Sequence, residues 1–203
     1  MKWIDVTAWF LIAFLSGSIP FSVWIGRWIL KVDIRQYGDK NPGTTNVFRA
    51  GGRGWGVVAM LLDFLKGAIP IGVASWRSEL GNWGLALVAI APILGHAFSP
   101  WLGLRGGKAL ATTFGIWTGL TLWQGPTVLG ASLTLWSVLL VTDGWVILFG
   151  MLSLLAFLLL SEAPLYLVSV GIFNAALLIW KYRQSLRHKP LTRKWIANLL
   201  RSG

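Results

Sequence analysis

The sequence predicts an all-α integral membrane protein, a helical bundle of about seven transmembrane helices. Three observations support this fold class: 55% of the 203 residues are hydrophobic, 14 are tryptophan, and the mean hydropathy is positive. A composition this apolar excludes both a soluble globular domain and a disordered chain. The sequence shows no internal repeat and no separate soluble domain, so we expect a single membrane domain over residues 1–203.

Seven apolar segments are the candidate spans. They lie at about residues 8–30, 54–76, 83–101, 109–124, 127–141, 145–160 and 163–180. A helix needs roughly 20 residues to cross a bilayer. Because several of the segments are shorter than that, the expected number of spans is seven, give or take one or two.

The first segment is interrupted by small polar residues and a proline, in Ser16-Gly17-Ser18-Ile19-Pro20-Phe21-Ser22. Small residues allow tight packing between membrane helices. Alternatively, the helix breaks here and turns backbone groups toward a polar cavity. The two interpretations are compatible. The segment lacks a persuasive cleavage site for a signal peptide, so we expect it to be retained.

The net charge of +11 is concentrated beside the apolar segments. The last 23 residues carry seven basic side chains and no acidic one, and residues 31–53 carry five basic and two acidic ones. This placement is typical of the cytoplasmic side of a membrane protein and argues against nucleic acid as a partner. We therefore expect the loops 31–53 and 102–108 to be cytoplasmic and the N-terminus to lie outside, although the acidic loop near Asp143 departs from the rule.

The chain is expected to end in a basic amphipathic tail, residues 186–203, that follows a helical bundle of residues 1–185. The apolar face of the tail comprises Leu191, Trp195, Ile196, Leu199 and Leu200. Such a helix suits the anionic cytoplasmic leaflet, so membrane lipids are expected partners. Docking onto a partner protein is the alternative.

A densely polar loop follows the first segment, Gly38-Asp39-Lys40-Asn41-Pro42-Gly43-Thr44-Thr45-Asn46-Val47-Phe48-Arg49. Glycine lets backbone amides approach a ligand, Asn and Thr offer neutral hydrogen bonds, and Lys and Arg offer charge for a phosphate. A simple polar connection is the alternative. The candidate phosphate-binding residues of this loop are Asp39, Lys40, Asn41, Gly43, Thr45, Asn46 and Arg49.

A second polar segment, Arg105-Gly106-Gly107-Lys108, leads into the fourth apolar segment. Two glycines before a helix expose their amides, and the helix dipole favours an anion there. We therefore expect Gly106 and Gly107 to donate to a phosphate, with charge from Arg105 and Lys108. A basic turn that merely flanks the membrane would give the same pattern.

Ionisable residues also lie within or at the ends of spans. Asp63 and Lys66 are three residues apart on a helix, so they share a face and can pair. Such a pair fixes helix register, but Lys66 could also face the substrate. His96, at the end of the third segment, is either a general base for a hydroxyl or a structural residue.

Several kinds of chemistry are excluded. The absence of cysteine rules out thiolate catalysis and disulfides, and two distant histidines do not suggest a metal site, so we expect no cofactor. Neither histidine is followed five residues later by aspartate, and there is no Gly-x-Ser-x-Gly elbow or Walker lysine motif.

Taken in order, these motifs resemble the bacterial acyl-phosphate-dependent glycerol-3-phosphate acyltransferase family, over about residues 10–115. The matching stretches are Ser16–Pro20, Asn41–Arg49, Leu62–Gly67, Gly95-His96 with Pro100, and Arg105–Lys108 with Ala111-Thr112. The resemblance implies transfer of a fatty acyl group from acyl phosphate to the 1-hydroxyl of glycerol-3-phosphate, which gives lysophosphatidic acid. It also implies a multi-pass protein of the bacterial inner membrane with a cytoplasmic active face.

By the same resemblance, Arg49 and Lys108 are the phosphate-binding cations, and Asn41, Thr45 and Asn46 shape the site. The chain departs from the family where Gly38-Asp39-Lys40-Asn41 replaces the usual Gly-Ser-Gly-Asn. A carboxylate at Asp39 repels a phosphate unless Lys40 or Arg49 compensates. The family's third motif has no counterpart near Asp143, and Tyr182 and Ser185 replace its C-terminal His and Asn.

Two other functions are compatible with the sequence. A divergent family member could use a changed acceptor, or bind a lipid or phosphate without catalysis. A small transporter could line its path with the broken first helix. The lack of repeat symmetry and the placement of both polar segments on one face argue against transport.

Overall fold

The computed structural model describes residues 3–77 and 79–199, and this part of the chain is helical, with one isolated β-bridge and no named strand. The α-helices are α1 Trp3–Ser18, α2 Phe21–Trp24, α3 Thr44–Arg49, α4 Arg53–Arg77, α5 Gly81–Ala97, α6 Leu110–Thr121, α7 Gln124–Leu139, α8 Asp143–Leu160, α9 Leu165–Lys181, α10 Arg183–Leu186 and α11 Lys194–Leu199. A π-helical turn, Ile25–Ile29, extends α2, and 3₁₀ turns lie at Ile34–Gln36 and Pro100–Leu102. The predicted all-α fold class is confirmed.

Within residues 3–77 and 79–199, four helical segments are long and apolar enough to cross a membrane. They are Trp3–Ile29, Arg53–Trp76, Gly81–Leu102 and Asp143–Leu160. The remaining apolar helices are shorter: α6 has 12 residues, α7 has 16 and α9 has 17. The protein is therefore a multi-pass membrane protein, and the count of seven spans stays a prediction.

The described residues group into two compact units, the first up to Leu122 and the second from Trp123. In the first unit, α1 packs on α5 and α4 packs on α6. Gly17 lies against the backbone of Pro92, and Gly95 lies against the carbonyl of Phe14, so neither position has room for a Cβ atom. Small residues thus allow close packing of α1 and α5, which is one of the two expected roles of the Ser16–Ser22 stretch.

The helix break is also present, between Ser18 and Phe21. The carbonyls freed there find donors from other helices and loops, since Ser99 Oγ donates to the Ser18 carbonyl at 2.6 Å and Lys66 Nζ donates to the Ile19 carbonyl at 2.8 Å. Backbone groups in a membrane interior must be satisfied within the protein. Both interpretations of the first segment are therefore correct.

In the second unit, the segment after α9 lies along the loop between α7 and α8. Ser185 Oγ accepts a hydrogen bond from the Gly144 amide at 2.9 Å, and Leu140 and Thr192 form the β-bridge. The predicted amphipathic tail includes α11, and its members Leu191, before this helix, and Trp195, within it, are exposed. Residues 200–203 of the tail lie outside the described residues, and its placement on a membrane stays a prediction.

Candidate phosphate-binding site

The loop before α3 turns twice through left-handed backbone, at Gly38 (φ +52°) and Lys40 (φ +59°). Glycine is required at position 38, because a Cβ there would collide with the guanidinium of Arg49 and lie 2.7 Å from Asn46 Oδ1. Between the two turns, Asp39 Oδ1 accepts from the Asn41 amide at 3.2 Å. This local geometry directs the carboxylate of Asp39 back toward α3.

Helix α3 supplies two side chains to this carboxylate. Asn46 is buried, and its Nδ2 donates to Asp39 Oδ1 at 3.1 Å and to the Asn41 carbonyl at 2.8 Å. Arg49 lies one helical turn further on, where its Nη1 donates to Asn46 Oδ1 at 3.1 Å and lies 3.8 Å from Asp39 Oδ1. Asn46 therefore fixes both the loop and the arginine.

Lys108 approaches from the second polar segment. Its Nζ lies 2.7 Å from Asp39 Oδ2. Partial burial acts to raise the pKa of Asp39, but the hydrogen bond and charge of Lys108, with bonds from Asn41 and Asn46, outweigh it and lower that pKa below its usual value. Asp39 and the four residues that contact its carboxylate are together called the anion cluster; the four are Asn41, Asn46, Arg49 and Lys108.

The structure identifies the cation that pairs most closely with Asp39. The sequence suggested that Lys40 or Arg49 would compensate the carboxylate, yet its shortest ionic contact is with Lys108. Lys40, Thr45 and Arg105 have exposed side chains. In the described part of the chain, none of these three side chains makes a hydrogen bond to the cluster. Gly43 is the N-cap of α3, and a Cβ on it would lie 2.7 Å from Asn41 Nδ2.

The glycine turn differs from what its sequence suggests. The amides of Gly106 and Gly107 donate to the carbonyls of Ala97 and His96, at 3.2 and 3.0 Å, so they are not directed at a bound anion in this structure. Both glycines are buried, and a Cβ on them would collide with the His96 carbonyl and with His96 Nε2 respectively. They allow the turn to lie directly on the end of α5, which places Lys108.

A buried polar network lies among α2, α4, α5 and α6. Lys66 Nζ lies 2.6 Å from Asp63 Oδ1, and the Ser22 hydroxyl donates to Asp63 Oδ2 at 3.1 Å. His96 Nδ1 lies 3.2 Å from Thr112 Oγ1 and 3.9 Å from Asp63 Oδ1. Lys66 therefore pairs with Asp63 inside the bundle and also lines a small cavity, so both interpretations of this residue stay open.

A small cavity connects this network to the loops of the site. Its polar lining includes Ser18, Ser22, Asp63, Lys66, His96 and Ser99, and it reaches Pro42 and Gly107. Sequence reasoning did not select Ser22 and Thr112 as functional, although a hydroxyl within an apolar span was the available signal. Among residues 3–77 and 79–199, no three His, Cys, Asp or Glu side chains come together in a way that could hold a metal ion.

Comparisons with known proteins agree on one family. A sequence profile described as glycerol-3-phosphate acyltransferase matches residues 7–189. Glycerol-3-phosphate acyltransferase 1 of Thermotoga maritima is 46% identical over 120 residues, which are 58% of this chain and 59% of that protein. Glycerol-3-phosphate acyltransferase of Anaeromyxobacter sp. strain Fw109-5 is 48% identical over 116 residues, 54% and 56% of the two chains. The chain thus spans less than two thirds of the length of these relatives.

The fold extends the similarity further along the chain. The integral membrane glycerol-3-phosphate acyltransferase PlsY (YgiH), in its glycerol-3-phosphate form, superimposes with a TM-score of 0.81 at 29% identity, over 90% of each chain. Its lysophosphatidic acid form gives a TM-score of 0.76 over the same shares. Since the profile covers most of the sequence, the chain belongs to the glycerol-3-phosphate acyltransferase family.

Proposed function

We propose that this protein transfers a fatty acyl group from acyl phosphate to the 1-hydroxyl of glycerol-3-phosphate and forms lysophosphatidic acid. The observation that carries the proposal is the anion cluster, where one lysine and one arginine converge on a single anionic group. The relatives named above are glycerol-3-phosphate acyltransferases, and the two similar structures are described as glycerol-3-phosphate and lysophosphatidic acid forms.

The chemistry suits such a site. In acyl phosphate the acyl carbon is already bonded to a good leaving group, so the hydroxyl oxygen can attack it directly. The new C–O ester bond forms, the C–O bond to phosphate breaks, and phosphate leaves with the bonding electrons while the hydroxyl proton passes to phosphate or water. Positioning and charge stabilisation can therefore supply much of the catalysis.

We assign the phosphate contacts to Lys108 and Arg49 and the shaping of the site to Asn41 and Asn46. Lysine and arginine form short charge-assisted hydrogen bonds with phosphate oxygens. His96 is better suited to a positioning role than to proton transfer from the substrate, because its Nδ1 faces Thr112 and its Nε2 lies against Gly107. Thr45, Lys40 and Arg105 are exposed where a ligand or lipid headgroup could recruit them.

We also propose the cytoplasmic face of the bacterial inner membrane as the place of reaction, with the N-terminus outside. The loops that form the anion cluster belong to the basic segments of the chain, and basic loops favour the cytoplasmic side. Acyl phosphate would enter from the bilayer and glycerol-3-phosphate from the cytosol.

The proposal is tested by acyl transfer in detergent, with purified protein, palmitoyl phosphate and glycerol-3-phosphate. We expect lysophosphatidic acid from the wild type and from Lys189→Ala, which removes an exposed lysine of the second compact unit, and a loss of about 100-fold in Lys108→Ala. Folded wild type that forms no product would overturn the proposal. Product from other phosphorylated alcohols alone would instead favour a changed acceptor.

A further inference from the structure

The carboxylate of Asp39 pairs with the cationic and N–H donors of the site. Lys108 Nζ lies 2.7 Å from one oxygen, and the other receives hydrogen bonds from Asn46 Nδ2 at 3.1 Å and from the Asn41 amide at 3.2 Å. Arg49 Nη1 lies 3.8 Å from that second oxygen. Two cations and two N–H groups are also the donors that a phosphate group requires.

A phosphate and this carboxylate compete for the same donors. Both are anions, and like charges at contact distance disfavour each other. Because Lys108 holds the pKa of Asp39 below its usual value, the carboxylate stays ionised at neutral pH and does not withdraw by taking up a proton. A phosphate that binds Lys108 and Arg49 therefore meets a competing anion.

Asp39 is the member of the anion cluster that can leave. Its side chain is 39% exposed, and it stands between two left-handed turns in a loop. Asn46, in contrast, is 1% exposed and is bonded to the Asn41 carbonyl and to Arg49. The Asn46 amide thus keeps its position when the carboxylate swings toward water, and its Oδ1 still accepts from Arg49, whose side chain is 46% exposed.

We propose that Asp39 is a resident anion that a substrate phosphate must displace, and that it makes the site selective for phosphomonoesters over carboxylates. The proposal rests on the proposed function, since it takes the anion cluster as the phosphate site. A phosphomonoester carries up to two negative charges and three acceptor oxygens, so it can replace the carboxylate. A ligand whose only anion is a carboxylate gains no charge over Asp39 and is rejected.

The test measures binding rather than catalysis. Dissociation constants of inorganic phosphate and of D-glycerate are determined by calorimetry for wild type, Asp39→Asn and Asp39→Ala in detergent. Removing the competing carboxylate raises the affinity for phosphate by the ratio of carboxylate-occupied to open sites. The gain is about tenfold if the carboxylate occupies the donors ten times as often as it leaves them open. We expect both variants to bind phosphate about tenfold more tightly and to gain measurable affinity for D-glycerate.

The matched control is Asp33→Asn. Asp33 lies in the same loop and pairs with Arg35 at 2.7 Å, outside the anion cluster, so its loss should leave both dissociation constants unchanged. Phosphate affinity that is unchanged or weaker in folded Asp39 variants would show that Asp39 organises the cations instead, and would overturn the inference. Absence of phosphate binding in every protein would overturn the site itself.

The two proposals fail in different ways. Tighter phosphate binding by Asp39→Asn, without acyl transfer by the wild type, would support the resident anion and reject the proposed activity. An active wild type, with an Asp39→Asn variant that binds phosphate no more tightly, would support the proposed activity and reject the resident anion. The Michaelis constants for glycerol-3-phosphate and for palmitoyl phosphate are then compared between the wild type and Asp39→Asn. The substrate whose Michaelis constant falls in the variant is the one whose phosphate displaces Asp39.

Discussion

The Nζ atom of Lys108 lies 2.7 Å from a carboxylate oxygen of Asp39, and this contact joins two polar segments that α4 and α5 separate in sequence. Both segments belong to the first compact unit, in which α1 packs on α5 and α4 on α6. The helix packing thereby positions two loops whose charges are complementary. Neither loop alone provides the set of donors that surrounds Asp39.

The first prediction concerns Arg49, which contacts both Asn46 and Asp39. We expect Arg49→Ala to lower the rate of lysophosphatidic acid formation by about 10- to 100-fold, since one charge-assisted hydrogen bond is worth about 1.5–3 kcal/mol. Arg49→Lys should recover part of the rate, because it keeps the charge but loses the guanidinium fork. The measurement is the initial rate in the palmitoyl phosphate assay.

Arg53→Ala is the control for that comparison. Arg53 is an exposed arginine at the start of α4, so its removal takes the same charge from the same region of the chain. An equal loss of rate in Arg53→Ala would attribute the effect to overall charge and would contradict a specific role of Arg49.

The sequence predicts the parts of the site better than their contacts. Basic, polar loops that flank apolar spans predict a shared cytoplasmic face, so Arg49 and Lys108 are expected near one ligand. That Lys108 rather than Lys40 neutralises Asp39 depends on the backbone, because the left-handed turn at Lys40 leaves its side chain exposed. A sequence pattern does not determine which of two lysines a fold brings to a carboxylate.

The Gly106-Gly107 turn shows a second limit of local patterns. Two glycines ahead of α6 suggest free amides, and nothing in that stretch indicates that the carbonyls at the end of α5 accept from both. Glycine is needed at both positions because a Cβ on either residue would collide with His96. Backbone hydrogen bonds between distant segments are a property of the packed structure.

A pH dependence follows from the lowered pKa of Asp39. Because the carboxyl ionises more readily in the folded than in the unfolded protein, it contributes stability above its unfolded pKa of about 3.9, and that contribution is lost as the pH falls through the folded value. We expect the wild type to unfold at a higher temperature than Asp39→Asn by a constant margin between about pH 7 and pH 5.

That margin should shrink below about pH 4 as Asp39 is protonated. Thermal unfolding of both proteins in detergent, followed by tryptophan fluorescence across this range, provides the measurement. A margin that widens in acid would mean that the folded protein raises the pKa of Asp39, contrary to the contacts with Lys108 and Asn46.

The buried pair of Asp63 and Lys66 provides the third prediction. Both side chains are 3% exposed, so Asp63→Asn leaves an ammonium group buried without its counter-ion. We expect a loss of about 3–5 kcal/mol in the free energy of unfolding. The double variant Asp63→Leu, Lys66→Met removes both charges and should recover most of that loss, as measured by denaturation in mixed micelles. A double variant that is no more stable than Asp63→Asn would show that the pair does not act as one unit.

The last prediction compares two glycines of α4. A Cβ on Gly67 would lie 2.7 Å from the Thr112 carbonyl of α6, whereas a Cβ on Gly72 would have nothing within 4 Å. Gly67→Ala therefore forces α4 and α6 apart, and we expect a loss of about 1–3 kcal/mol in the free energy of unfolding. Gly72→Ala should be neutral, or more stable by about 0.5–1 kcal/mol, because alanine loses less backbone entropy in a helix. Denaturation of the two variants in the same detergent measures the difference, and similar values for both would contradict close packing of α4 on α6 at Gly67.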